Sequence, residues 1–127
     1  MADTNAKVLI VEDDLASQQY YSVILEEKYD IYMVSTVAEA KQALKEHVFK
    51  VAIIDLSLPG GVSGIDLLKH LKNEFADFPI SIVISAHAFP AIKVEALEAG
   101  AVEFFTKPIL SGALLEAVEK YLLVTHR

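Results

Sequence analysis

Four polar signatures each follow a short apolar run, and their residue types suit the binding of a hard cation and a phosphoryl group. In chain order they are Glu12-Asp13-Asp14, Asp55, Ser85 and Lys107-Pro108. Short runs rich in Val and Ile are typical of strands that are buried on both faces of a sheet. In a parallel sheet the carboxyl ends of the strands share one edge, where ligands bind. We therefore expect these carboxylates, the hydroxyl and the lysine to meet at that edge.

The acidic residues indicate a metal site. Glu12, Asp13 and Asp55 would bring three like charges together, which is unfavourable unless they are protonated or neutralised. Mg²⁺ is the natural neutraliser, because it is hard, seeks oxygen ligands and accepts one or two carboxylates plus water. The alternative is that the first acidic group only caps the following helix. We prefer that alternative for Asp14, but it leaves the grouping of the other three unexplained.

The remaining signatures are weaker when each is taken alone. Asp55 stands before a Pro-Gly turn and could simply begin it, or it could be a nucleophile that forms an aspartyl-phosphate. Ser85 could donate its hydroxyl to a phosphoryl oxygen. Lys107 is either an exposed charge or a point-charge partner for phosphate. A cis bond before Pro108 could fix that turn and aim the lysine inward.

The elements that must position these residues alternate regularly. Strands are predicted near residues 7–12, 31–35, 50–55, 80–85 and 102–106, with helical patterns in the gaps. This alternation predicts an α/β fold with right-handed crossovers and a doubly wound, five-stranded parallel sheet.

Two of the helices carry further signals. Thr36 and Glu39 have the spacing of a capping box at the start of the second helix. In the first helix an apolar stripe is predicted to face the core. The helix is marked by Ala16, Tyr20, Val23, Ile24 and Glu27.

Composition bounds the class of protein. The 127 residues make one domain, residues 1–127, with an ordered core expected over about 6–124. Hydrophobic residues make up 54%, but no apolar run approaches the ~20 residues of a membrane span, so no membrane partner is expected. The net charge of −7 argues against direct nucleic-acid binding. The absence of Cys and of a secretory signal fits a cytoplasmic protein.

Together these motifs resemble the receiver domain of two-component response regulators, of the chemotaxis-regulator type. The resemblance covers essentially the whole chain and includes an aromatic position three residues before the lysine. Its members are Glu12-Asp13, Asp55, Ser85-Ala86, Phe104 and Lys107-Pro108. It implies a (βα)5 flavodoxin-like receiver fold and a phosphoacceptor signalling switch.

The resemblance also implies a mechanism. A histidine kinase or histidine phosphotransfer protein donates the phosphoryl group to Asp55, and Lys107 stabilises the transferred group. Mg²⁺ or Mn²⁺ is held by Asp13, Asp55 and the Ser57 backbone carbonyl, with Glu12 acting through water. Such a protein is not a conventional enzyme, but it catalyses its own phosphorylation and dephosphorylation.

The implied switch begins at Ser85, which moves to bond a phosphoryl oxygen, and Phe104 fills the space left behind. The surface of the fourth helix, fifth strand and fifth helix then changes and regulates a partner or an output domain. The sequence does not decide between a monomer and a phosphorylation-dependent homodimer. In the family Ser57 and His87 occupy positions that tune the lifetime of the phosphoryl group.

The sequence departs from the usual receiver pattern in one loop. The loop after Pro59 is one residue longer than usual, since Ser63 stands where a Gly is expected and Gly64 follows it.

Three other functions were weighed against the phosphoacceptor switch. A flavin-binding carrier on the same topology would need a phosphate loop where Glu12-Asp13-Asp14 stand. A phosphatase-type hydrolase would need a second acid where Ser57 stands. A degenerate receiver that acts only as an interaction module would not need the intact set.

Overall fold

A five-stranded parallel sheet forms the centre of the molecule. The computed structural model describes residues 6–74, 79–87 and 89–124. The sheet has the order β2-β1-β3-β4-β5. Its strands are β1 (Lys7–Val11), β2 (Asp30–Val34), β3 (Val51–Ile54), β4 (Ile80–Ser85) and β5 (Glu103–Thr106). Each predicted strand agrees with the structure to within one residue at either end, so the predicted doubly wound α/β fold is confirmed.

Five helices alternate with these strands. They are α1 (Leu15–Leu25), α2 (Val37–Glu46), α3 (Gly64–Glu74), α4 (Pro90–Glu98) and α5 (Ser111–Val124). Within the described ranges, no helix is long and apolar enough to cross a membrane.

The two faces of the sheet bury separate apolar clusters, because successive side chains of a strand point to opposite faces. On one face, Leu9, Ala52 and Val83 of the sheet pack with residues of α2, α3 and α4. On the other face, Ile10 and Ile53 pack with residues of α1 and α5. All four residues of β3 are buried, which explains its unbroken apolar sequence.

Most of the predicted apolar stripe of α1 is exposed, although Ile24 packs partly buried against the second face of the sheet. Val23 is 75% exposed and Tyr20 is 41% exposed, whereas Tyr21 and Leu25 are buried against the second face of the sheet. Helix α1 is apolar on more than one side, so its sequence pattern does not define which side packs. The pair at spacing i, i+4 that faces the sheet and α5 forms the core contact.

The predicted helix caps are present. Asp14 accepts hydrogen bonds from the Ser17 backbone N–H at 3.0 Å and from its hydroxyl at 2.8 Å. Thr36 Oγ1 accepts from the Glu39 N–H at 3.1 Å. The Glu39 carboxylate accepts from Ser35 N–H at 2.8 Å, so the capping box returns its second bond one residue earlier than the usual pattern.

Candidate functional site

The register of β1 and β3 places the first two carboxylates side by side. Val11 and Ile54 are partners in the parallel ladder, so the residues that follow them, Glu12 and Asp55, leave the sheet together. The Asp55 N–H donates to the Val11 carbonyl at 3.0 Å, which extends the ladder by one bond. The backbone of the sheet therefore sets the separation of these two side chains.

Three carboxylates converge at this edge. Glu12, Asp13 and Asp55 each offer an oxygen that lies within 4.8 Å of the others. Glu12 and Asp55 are buried, and Asp13 is exposed. Burial raises the pKa of Glu12, an effect that Lys107 and the Asp14 N–H only partly offset. A dense set of carboxylates with one open side fits a hard, oxygen-seeking divalent cation.

Lys107 joins the two buried carboxylates. Its Nζ lies 2.6 Å from Glu12 Oε1 and 3.3 Å from Asp55 Oδ2. Burial lowers the pKa of Lys107, but its contacts with these carboxylates outweigh burial and raise the pKa overall. The lysine is therefore a fixed positive charge at the acidic edge. The bond before Pro108 is cis, as the sequence suggested.

Ser85 and Phe104 lie on the neighbouring strands. Ser85 is fully buried at the end of β4, and its Oγ accepts the His87 N–H at 3.2 Å. Phe104 pairs with Val83 in the ladder and packs half-buried against the first apolar cluster. The Nζ of Lys93 on α4 lies 5.8 Å from the centre of the Phe104 ring. The ladder thus links the serine strand to the aromatic strand.

Ser57 and the loop after Asp55 complete the edge. The Ser57 N–H donates to Asp55 Oδ1 at 3.3 Å, so the loop turns back over the carboxylate. A Cβ at Gly64 would collide with the Asp55 carbonyl oxygen and lie 2.8 Å from Leu56 Cα. Glycine is therefore required at position 64. The preceding residue, Ser63, caps α3, because its hydroxyl accepts from the Asp66 N–H at 3.3 Å.

The loop that is predicted to be one residue longer than usual contains two adjacent glycines. Gly60 and Gly61 both have positive φ, at 93° and 74°, and nothing lies within 4 Å of where their Cβ atoms would be. These two positions are therefore uncrowded, and their positive φ angles favour glycine. A cleft of about 330 Å³ beside this loop is lined by both Ser57 and His87, the two residues predicted to tune the lifetime of the phosphoryl group.

Sequence reasoning missed one contact near the site. Tyr20 Oη donates to the Ile109 carbonyl at 2.7 Å. The two residues are 89 positions apart, so no local pattern could reveal the bond. The one signal in the sequence was that Tyr20 carries a hydroxyl, which would need a hydrogen-bond partner if it were buried.

Comparisons with known proteins agree with this geometry. The model of the family described as "Response regulator receiver domain" matches residues 8–119. The chain is 33% identical over 113 residues to the response regulator protein PilR of Pseudomonas aeruginosa, a match that covers 88% of this chain and 25% of PilR. It is 36% identical over 103 residues to the two-component response regulator PhoP of the same organism, which covers 80% of this chain and 45% of PhoP.

Solved structures give the same result. The beryllofluoride-activated NtrC4 receiver domain, solved as a dimer, superimposes with a TM-score of 0.86 at 29% identity, covering 93% of this chain and 97% of that one. The chain thus spans less than half the length of PilR and of PhoP but nearly all of this isolated receiver. Its acidic cluster is typical of the magnesium site of receivers. By sequence, by fold and by the acidic pocket at its sheet edge, the chain belongs to the response regulator receiver domain family, the phosphoacceptor switches that histidine kinases control in two-component signal transduction.

Proposed function

We propose that Asp55 accepts a phosphoryl group from the phosphohistidine of a histidine kinase or a histidine phosphotransfer protein. The observation that carries this proposal is the position of the Asp55 carboxylate. It is buried among carboxylates yet paired with Lys107 at 3.3 Å, so a cation and an acceptor oxygen lie together at the ligand-binding edge.

The transfer is a single displacement at phosphorus. An Asp55 carboxylate oxygen attacks, the new O–P bond forms and the P–N bond to the donor imidazole breaks. The electron pair of that bond stays on the imidazole nitrogen. The product is an acyl phosphate on Asp55, and the Lys107 ammonium, already 3.3 Å from Oδ2, pairs with the charge of the transferred group.

The metal belongs to the acidic side of the site. Asp13, Asp55 and the Ser57 backbone carbonyl would hold Mg²⁺ or Mn²⁺, with Glu12 acting through water. When bound, such an ion neutralises charge that develops on the phosphoryl oxygens. The three converging carboxylates support this assignment, because without a cation their mutual repulsion is opposed mainly by Lys107.

The signal leaves through α4, β5 and α5. The Ser85 hydroxyl bonds a phosphoryl oxygen, and Phe104 moves toward the space that this change opens. Val94, Leu97 and Val102 expose apolar area on this side and would be the surface that changes. Such a change in a bistable element, biased by new charge-assisted bonds, is how phosphorylation acts in general.

The proposal also covers where the domain acts and what it binds. Residues 1–127 form one receiver domain, which acts in the cytoplasm and binds no nucleic acid itself, since its net charge is −7. A phosphorylation-dependent homodimer is supported by the activated NtrC4 receiver, which was solved as a dimer. The output, whether a partner or a further domain, is reached through the changed surface.

The acceptor can be identified chemically. After incubation with acetyl phosphate and Mg²⁺, borohydride reduces an aspartyl-phosphate to homoserine, which peptide mass spectrometry can locate. The proposal predicts homoserine at position 55. Homoserine at position 13 or 14 instead would contradict it, as would a phosphoryl group found by mass only on a histidine.

A further inference from the structure

One hydrogen bond ties α1 to the segment that carries the active-site lysine. The Tyr20 hydroxyl donates to the Ile109 carbonyl at 2.7 Å, a short bond between groups 89 residues apart. Ile109 lies in the loop of residues 107–110, which connects β5 to α5. The bond therefore joins the helix that follows the acidic pair to the loop that begins with Lys107.

This loop has few other polar anchors. At its start the Lys107 N–H donates to the Ser85 carbonyl at 3.0 Å, and at its end the Leu110 carbonyl accepts from Leu114 N–H at 3.0 Å. Pro108 has no N–H to donate. Among the residues that the structure describes, the Tyr20 bond is the one hydrogen bond between α1 and this loop.

The bond borders an open space between α1 and the loop. A cavity of about 550 Å³ lies between α1 and the loop, lined by Ala16, Ser17, Tyr20 and Tyr21 on one side and by residues 107–110 on the other. Leu110 is 79% exposed and so contributes little to this contact. The Ile109 side chain is buried in the second apolar cluster, which fixes the loop to the core but leaves its carbonyl for Tyr20.

The bond connects the segment that follows the acidic residues to the segment that carries Lys107. Helix α1 begins at Leu15, directly after the acidic residues, and the loop begins at Lys107, whose Nζ lies 2.6 Å from Glu12 Oε1. A shift of about 1 Å in a group that must meet the transition state can cost a large factor in rate. We propose that Tyr20 is a positioning residue, which acts through the Ile109 carbonyl to hold Lys107 where it meets the phosphoryl group; this rests on the function proposed above.

The test uses Tyr20→Phe, which keeps the ring and removes the hydroxyl. The matched control is Tyr121→Phe on α5. It removes another hydrogen-bonded hydroxyl, which donates to Glu103 Oε1 on β5 at 2.8 Å. The rate of Asp55 phosphorylation by acetyl phosphate is measured at saturating Mg²⁺. Loss of one such bond predicts a rate roughly two- to tenfold lower for Tyr20→Phe and an unchanged rate for the control.

Two further readouts separate positioning from general stability. Mg²⁺ affinity, measured by calorimetry, should stay the same in Tyr20→Phe, because Lys107 is not a metal ligand. In the Lys107→Ala background, Tyr20→Phe should cause no further loss of rate, because the group that it positions is already gone. A parental rate in Tyr20→Phe, or an equal loss with and without Lys107, would overturn the inference.

Failure of the proposed function is distinguishable from failure of this inference. If the parent protein takes no phosphoryl group, the proposed function is wrong, and the positioning role is still decided by NMR. The order parameter of the Lys107 Cε should fall in Tyr20→Phe and stay unchanged in Tyr121→Phe. Equal order parameters in all three proteins would refute the positioning role by themselves.

Discussion

The ammonium of Lys107 lies 2.6 Å from Oε1 of Glu12, a carboxylate that is 1% exposed. Lys107 itself is 20% exposed, so the pair lies at the boundary between the core and the open site. A second carboxylate, Asp55, shares the same ammonium at 3.3 Å. The lysine therefore both offsets buried negative charge in the resting protein and supplies the cation that a transferred phosphoryl group would meet.

The first prediction concerns stability. Lys107→Met should lower the free energy of unfolding by about 2–3 kcal/mol without metal, because it leaves Glu12 buried and unpaired. The control is Lys120→Met, which breaks the exposed pair with Glu103 at 3.4 Å and should leave the stability almost unchanged, because solvent screens that pair. Urea unfolding measures both, and equal losses would show that burial of Glu12 has no special role.

The second prediction concerns the metal. Mg²⁺ at about 100 times its dissociation constant should stabilise the parent by ~2.7 kcal/mol, and Asp13→Asn should remove most of that gain. Asp14→Asn is the matched control, because Asp14 caps α1 at Ser17 and asparagine caps equally well. Thermal unfolding with and without Mg²⁺ reads out the difference. The same loss of stabilisation in both variants would contradict the assigned ligand set.

The third prediction concerns the lifetime of the phosphoryl group. His87 is exposed and lines the cleft that also contains Ser57. His87→Ala should change the rate of dephosphorylation more than the yield of phosphorylation. The decay of the phosphorylated mass after removal of the donor measures it, and equal lifetimes for variant and parent would refute it.

The fourth prediction concerns the loop after Asp55. Gly64→Ala should cost about 1–3 kcal/mol, because the added methyl collides with the backbone at Asp55, and it should also slow phosphorylation by moving that residue. Gly112→Ala is the control, since nothing lies within 4 Å of its added Cβ and α5 should gain about 0.5–1 kcal/mol. Wild-type stability in Gly64→Ala would show that the loop is not packed this closely.

The fold could be predicted from the sequence because its strongest signals are local. The runs that became β1 and β3 are buried on both faces, so an unbroken apolar pattern marks them without knowledge of their neighbours. The site followed from the same signal, since parallel strands bring Glu12, Asp55 and Ser85 to one edge whatever the loops do.

What could not be predicted depends on packing between distant segments. The face of α1 that packs was predicted wrongly, because apolar residues on several sides of a helix compete and the sheet selects Tyr21 and Leu25. The bond from Tyr20 to Ile109 depends on how α1 lies against the β5–α5 loop. The need for glycine at position 64 arises from a backbone approach that only the folded loop creates.

The most direct test of the account is the intact mass after incubation with acetyl phosphate, with and without Mg²⁺, beside Asp55→Asn. Phosphorylation at Asp55 predicts the gain of one phosphoryl group in the parent, which depends on the metal and is absent in the variant. An unmodified parent, tested also with a phosphohistidine donor, would contradict it and favour a receiver that works only as an interaction module. An adduct that persists in Asp55→Asn would move the acceptor to another residue.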